Sequence, residues 1–221
     1  MEKKINIGMV DDHVLLRNAL ATLINGFEEC VVTVQANNGQ EFMDLLAGEQ
    51  ETPDVVLMDL NMPVLGGYET ALQLREKYPQ VHVLMLTMYD SEITLIRLLQ
   101  AGVKGFLKKD IEPSELKFAI HSVMQSGYYY STQTAGRLAN LFRNNAKDNQ
   151  RLKNAMLDEQ EIVFLRHACT DLTYKEIAQS MKLTPRTVDA LRDHLFLKFD
   201  VKSRVGLAMV AIRNGVVSLS G

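Results

Sequence analysis

The chain has 221 residues, 47% of them hydrophobic and 23% charged, which excludes a disordered chain and suits one large or two small domains. Its two cysteines, Cys30 and Cys169, lie far apart, which excludes a disulfide framework or a zinc site with close ligand pairs and points to a reducing compartment. The charge is uneven: 13 Lys and Arg face 19 Asp and Glu over residues 1–150, while 11 face 8 over residues 151–221, so the acidic part suits a metal ion and the basic part a phosphate-rich polymer.

Met1-Glu2-Lys3-Lys4 leads straight into a strand-like run, with no apolar stretch of the kind a signal peptide carries, and no run reaches the length of a membrane helix. A cytoplasmic chain with no membrane partner is expected. Ile5 to Val10, Val31 to Gln35, Val55 to Met58, Val81 to Leu86 and Gly105 to Leu107 are strand-length. The first, third and fourth are nearly continuous apolar runs, as in strands buried on both faces of a parallel sheet. Between them Leu15/Leu16, Ala19/Leu20 and Leu23 repeat at helical spacing, as do Leu95, Leu98 and Leu99, and then Leu116, Ala119/Ile120 and Val123. The expected fold is α/β, a (βα)5 doubly wound parallel sheet over residues 1–127.

Gly127 ends the last of these helices, and a linker is expected over residues 128–154, which lack a clear strand period and end in a polar stretch. Residues 155–221 carry helical patterns only, read as four short helices forming a small all-α helix-turn-helix domain. Asp158, Thr173 and Thr184 stand where N-caps belong, Thr173 and Glu176 have capping-box spacing, and Pro185 takes a first helical position.

In an open parallel sheet, ligands gather at the carboxyl ends of the strands. Those ends carry Asp11 and Asp12, then Asp59, Thr87 and Lys109. A lone Asp there is ordinarily a turn or helix cap, and a lone Thr or Lys ordinarily a strand residue or a solvated charge. Together they pose an electrostatic problem. Three carboxylates about 5 Å apart repel by roughly 3 kcal/mol per pair at an effective dielectric of 20, which a hard divalent ion such as Mg2+ relieves. One carboxylate can then attack a phosphoryl group in line, and Asp59, at the end of the central strand, is the nucleophile expected. Thr87 and Lys109 would bind the phosphoryl oxygens.

Val10-Asp11-Asp12-His13, Val56-Leu57-Met58-Asp59-Leu60-Asn61-Met62-Pro63, Leu86-Thr87 and Gly105-Phe106-Leu107-Lys108-Lys109 together resemble the receiver domain of two-component response regulators. The resemblance implies that Asp59 is the phospho-acceptor for a sensor histidine kinase, and that Asp11, Asp12, Asp59 and the backbone carbonyl of Asn61 hold Mg2+. It also makes Thr87 and Phe106 the switch pair. Lys109 is preferred to Lys108 because it lies three residues after Phe106. Two positions depart from the usual pattern, Met88 after Thr87 and Gly66 before Gly67.

Lys175-Glu176-Ile177-Ala178, Thr184-Pro185-Arg186-Thr187-Val188 and Val201-Lys202-Ser203-Arg204 resemble the LuxR-type helix-turn-helix of NarL/FixJ response regulators. This implies a recognition helix over 186–199, a dimer contact over 204–214, binding to double-stranded promoter DNA, and a homodimer as the active form. Asp189, Ala190, Leu191 and Asp193 stand where basic or polar residues are usual. Expected DNA contacts are Arg186, Arg192 and His194, with Lys175, Lys202 and Arg204 on phosphates. The chain is then not an enzyme beyond phosphoryl transfer to and from Asp59. Two alternatives stand beside this reading: a receiver-based interaction module with little or no DNA binding, and a metal-dependent phosphohydrolase. The latter lacks a second acid/base carboxylate two residues after Asp59, where Asn61 stands.

Overall fold

The apolar runs of the first part become five strands, β1 (Ile5–Val10), β2 (Cys30–Ala36), β3 (Val55–Asp59), β4 (His82–Thr87) and β5 (Gly105–Lys108), all pairing in parallel in the order β2-β1-β3-β4-β5. The computed structural model describes residues 3–48, 51–87, 92–145, 157–214 and 216–217, and Met88 lies outside them. Every residue of β3 is buried, which is why its sequence does not alternate. From β1 the chain first builds outward to β2 and then returns to β3 on the other side. The direction of winding therefore reverses between β1 and β3, and a cleft opens at their carboxyl ends.

The helices that follow the strands in the chain are α1 (Val14–Asn25), α2 (Gly39–Ala47), α3 (Gly67–Lys77), α4 (Glu92–Gln100) and α5 (Pro113–Ser126). Leu116, Ala119, Ile120 and Val123 of α5 pack with Ile7, Leu57, Leu84 and Leu107 of the strands. Each large side chain so buried contributes about 1.5–3 kcal/mol, so packing rather than helix propensity holds α5 in place. Gly127, in the left-handed conformation, ends it.

The buried face of α1 differs from the one its leucines suggest. Leu15 is 86% exposed, and Arg17, Ala21 and Ile24 are the buried residues, with Leu20 and Leu23 at the margin. A stripe read from apolar spacing alone misses an arginine that lies inward because backbone carbonyls receive it.

At the other end of β3, Gly67 allows α3 to start against the strand. A Cβ there would come within 2.2 Å of the Asp59 carbonyl oxygen. The loop between them holds Val64 at a φ of 67°, in the left-handed region, with 84% of its surface exposed. A β-branched residue in that region costs about 1–2 kcal/mol, against about 0.5–1 kcal/mol of extra chain entropy for glycine. Val64→Gly is therefore expected to stabilise the first unit by about 0.5–1 kcal/mol, because no burial is lost. An unchanged or lower urea midpoint would exclude this strain.

The segment read as a linker has structure of its own. Tyr129 bridges Gly105 as one parallel pair at the edge of β5, and α6 (Thr132–Asn145) follows.

The second unit holds α7 (Glu159–Ala168), α8 (Tyr174–Ser180), α9 (Pro185–Phe199) and α10 (Arg204–Arg213) around Phe164, Leu165, Ile177, Val188, Leu195 and Leu207. Asp158 and Thr173 form capping boxes with Glu161 and Glu176, and the Thr184 hydroxyl accepts the Thr187 N–H. These caps satisfy orphan N–H groups where short helices need it most. Cys169, beside this core, has its thiol pushed up by burial, which disfavours the reactive thiolate.

Candidate functional site

The carboxyl ends of β1, β3, β4 and β5 bring Asp11, Asp12, Asp59, Thr87 and Lys109 to one rim. Asp11, Asp59 and Thr87 are almost fully buried. Lys109 Nζ lies 2.8 Å from Asp59 Oδ2 and 3.1 Å from Asp11 Oδ2, with 14% of its side chain exposed. Lys108, by contrast, ends β5 facing solvent. Asp59 is pulled two ways. Burial pushes its carboxyl above the usual carboxylate range, and the Lys109 ammonium and the Asn61 backbone N–H hold it back only in part. Burial likewise pulls Lys109 down, but the hydrogen bonds and charges of Asp59 and Asp11 outweigh it and raise its ammonium.

The ligand atoms of Asp11, Asp12, His13 and Asp59 lie within 4.8 Å of one another. His13 was not expected in this group. Its backbone N–H donates to Asp11 Oδ1 at 2.8 Å, and its Nδ1 sits 3.1 Å from the same oxygen and 2.9 Å from Asp12 Oδ1. Its nitrogens thus approach the acids on the outer edge of the group, where its ring is two-thirds exposed. Asp12 Oδ1 is buried and accepts no hydrogen bond, its 2.9 Å approach to His13 Nδ1 being a charge contact only. A carboxylate oxygen without a hydrogen bond among close acids is the environment a hard cation satisfies, and the cluster fits a metal site.

Behind the acids is a residue that sequence reasoning missed. The buried Arg17 donates through Nη1 to the Asp11 carbonyl, to Asn37 Oδ1 at 3.0 Å and to the Ala36 carbonyl at 3.4 Å. The available clue was a charged residue one helical turn after Asp12-His13, on a helix otherwise apolar on that side.

Phe106 lies buried in β5, two residues before the strand's end, and its ring stacks on Tyr130 with centroids 5.8 Å apart. Tyr130 stacks in turn on Tyr128. Between them Tyr129 is buried, and its hydroxyl donates to Glu115 Oε1 at 2.6 Å.

In the helical unit, α9 begins at Pro185, one residue before the recognition helix expected. Arg186, Lys175 and Lys202 are exposed, and so is His194, whose Nε2 is 3.2 Å from Glu161 Oε1. Two of the expected DNA contacts also make contacts inside the unit. Arg192 pairs with Asp189 and Asp193, each at 2.8 Å, and its guanidinium lies 5.1 Å from the Tyr174 ring centre, so the two carboxylates cancel its charge locally. Arg204 gives hydrogen bonds to four backbone carbonyls, of His167, Ala168, Thr170 and Leu172, and also lies over Tyr174. Four of the five guanidinium N–H groups are thus committed to the chain's own carbonyls. Among the described residues, no helix is long and apolar enough to cross a membrane.

Comparison with known proteins finds two family models, the response regulator receiver domain over residues 7–121 and the bacterial regulatory proteins of the luxR family over residues 155–211. The response regulator GacA of Pseudomonas viridiflava is 32% identical over 216 residues, 98% of this chain and 99% of that protein. The nitrate/nitrite response regulator protein NarL of Escherichia coli (strain K12) is 31% identical, covering 94% of this chain and 95% of NarL. RcsB from Salmonella enterica serovar Typhimurium, solved bound to promoter rprA in the presence of phosphomimetic BeF3−, superposes with a TM-score of 0.67 over 94% of this chain and 98% of RcsB, at 18% identity. That last likeness is one of fold.

Proposed function

Because this chain belongs to the response regulators that join a receiver domain to a LuxR-type helix-turn-helix, a phosphorylation-dependent class of transcription regulators, we propose that Asp59 takes the phosphoryl group from a sensor histidine kinase. The chain is a DNA-binding regulator and not a conventional enzyme. We assign the receiver to residues 1–127, the linker, with its own helix, to 128–154, and the output domain to 155–221, and place the protein in the cytoplasm, where promoter DNA is reached.

The observation that carries the residue assignment is the bridge of Lys109 between Asp59 and Asp11 in a buried cleft. Asp59 offers a carboxylate oxygen to the phosphorus as the donor's bond breaks, and Lys109 exchanges Asp59 Oδ2 for a phosphoryl oxygen. Thr87, buried at the end of the neighbouring strand, supplies its hydroxyl to another. Asp11, Asp12, Asp59 and the Asn61 carbonyl would hold Mg2+. When bound, Mg2+ would neutralise charge on the phosphoryl oxygens, which the Lys109 ammonium cannot do alone. As Thr87 turns toward the phosphoryl group it vacates space that Phe106 can enter, and the difference in stability between the two arrangements sets how far phosphorylation shifts the population.

On the output side, Lys175, Arg186 and Lys202 are the phosphate contacts and His194 a candidate base contact, while Arg192 and Arg204 position the helices that present them. Two copies would occupy half-sites about 10 bp apart or a multiple of that. Promoter DNA affinity is therefore expected to rise when acetyl phosphate and Mg2+ are added. The log-log salt slope should be about −5 if two copies each use three phosphate contacts. An affinity indifferent to the phosphodonor would refute regulation, and a slope near zero would refute DNA binding.

A further inference from the structure

Asp11 and Asp12 leave β1 side by side, but they are anchored differently. Asp11 is fixed at every polar atom group. Its N–H donates to the Ala36 carbonyl at 3.2 Å, its Oδ1 accepts from the His13 N–H, and its Oδ2 accepts from Lys109. Asp12 has a buried Oδ1 that accepts no hydrogen bond, and the His13 Nδ1 2.9 Å from it belongs to a ring two-thirds exposed to solvent. The direction of that carboxylate therefore depends largely on its own backbone, beginning with the peptide that joins it to Asp11. The carbonyl of that same peptide is the one Arg17 grips.

Arg17 is itself an expensive way to grip a carbonyl. Its guanidinium is buried, its Nε has no partner, and among the described residues it forms no ion pair with a carboxylate. Its other oxygens are neutral, the Ala36 carbonyl and Asn37 Oδ1. Asn37 is in turn held through both its N–H and its side-chain amide by Glu41 Oε2, each at 2.8 Å. A buried cation retained without a direct counter-ion weakens the fold, and an apolar side chain of similar length would fill the same space at less cost. What the arginine adds is direction: a planar fork that ties the end of β1 to the end of β2 at the point where the chain turns into the acidic rim.

We propose that Arg17 is a positioning residue for the divalent cation, setting the Asp12 carboxylate through the Asp11–Asp12 peptide. The inference rests on the reading of this rim as the Mg2+ site. Charge and geometry predict opposite signs, which makes it decidable. A positive charge behind the rim repels a cation, so by charge alone its removal would tighten binding. If positioning dominates, its removal weakens binding, and supporting groups of this kind typically account for about 10–100-fold in metal affinity.

The test uses the full chain and the metal alone: Mn2+ uptake followed by loss of the free-ion electron paramagnetic resonance signal, with Mg2+ as competitor. Arg17→Met is expected to raise the dissociation constant about tenfold or more. Arg17→Lys keeps the charge but not the fork and should weaken binding in the same direction. The thermal midpoint without metal is recorded for each. A merely structural arginine would lower that midpoint in both variants and leave the cation affinity of the folded protein unchanged. Equal or tighter Mn2+ binding by Arg17→Met overturns the proposal, and if that variant does not fold, binding by Arg17→Lys within twofold of the native chain does so. If the native chain and Asp12→Asn take up Mn2+ equally poorly, the metal site itself fails, and the role of Arg17 fails with it.

Discussion

Asp59→Asn is expected to remove the phosphoryl group that the native chain gains on incubation with acetyl phosphate and Mg2+, as read by intact-protein mass spectrometry. The loss should exceed about 100-fold in rate, ~3 kcal/mol of barrier, because an amide oxygen in place of the carboxylate removes the nucleophile itself. Unfolding would not explain that loss. Burial holds the Asp59 carboxyl above its usual range, so its ionised form is a net cost to the fold at neutral pH, and the amide relieves it along with the repulsion from Asp11. Lys109 keeps Asp11 as a partner at 3.1 Å. The thermal midpoint of Asp59→Asn should therefore stay level or rise while phosphorylation disappears, and the increase in promoter affinity should disappear with it. Phosphorylation of the variant at the native rate would move the acceptor elsewhere.

The largest effect on stability is expected in the helical unit, at Lys198. Its Nζ lies 2.7 Å from both oxygens of Glu161, and the two side chains are 5% and 3% exposed. Glu161 also closes the capping box at the start of α7, accepting the Asp158 N–H at 2.8 Å. The pair thus ties the first helix of the unit, α7, to α9. Lys198→Met leaves a buried carboxylate facing an apolar chain, with the largely exposed His194 as its remaining cationic partner among the described residues, and should cost about 3–5 kcal/mol. For a domain whose total stability is about 5–15 kcal/mol, that is a large fraction. The double variant Glu161→Gln with Lys198→Met should recover most of the loss, because no unpaired charge remains and the amide can still accept the capping hydrogen bond. Urea unfolding of the full chain checks this. A loss below about 1 kcal/mol in Lys198→Met would show that water reaches the pair and screens it.

Much of this arrangement is legible in the sequence, and the parts that are not share a physical cause. The strands announce themselves because burial on both faces removes any need for alternation, and the acids stand out because each follows such a run. The helix-turn-helix is marked by Thr173, Glu176, Thr184 and Pro185, whose roles are local. Arg17, Arg192 and Arg204 are harder to place, because what they do depends on oxygens distant in the chain or on charges that cancel them. Arg204 does leave a trace. It opens α10, where a cation opposes the helix dipole, and the carbonyls it serves include those ending α7, where a cation is favoured. Arg192 has Asp189 three residues before it, a pairing that can be read from spacing once the helix is assumed, whereas its pairing with the adjacent Asp193 cannot. The exposure of Leu15 has no comparable sequence signal, since apolar spacing marks a helical face without saying which flank of it meets the sheet, whereas α6 is marked by Ala135, Leu138, Leu141 and Phe142 at helical spacing.

The aromatic run at residues 128–130 has a mechanical consequence. Tyr129 is stitched to the outermost strand by a backbone bridge and by its hydroxyl, while Tyr130 lies flat on the ring of Phe106. Tension arriving from further along the polypeptide meets this seam before it meets anything else in the sheet, and any reorientation of Phe106 changes what the seam rests on. The fulcrum of the connection therefore lies inside the sensing module. Slack inserted after Ser131 leaves it untouched, whereas a break between Gly127 and Tyr129 would leave the downstream chain held to the sheet by the Tyr129 bridge, its hydroxyl and the Tyr130 ring alone.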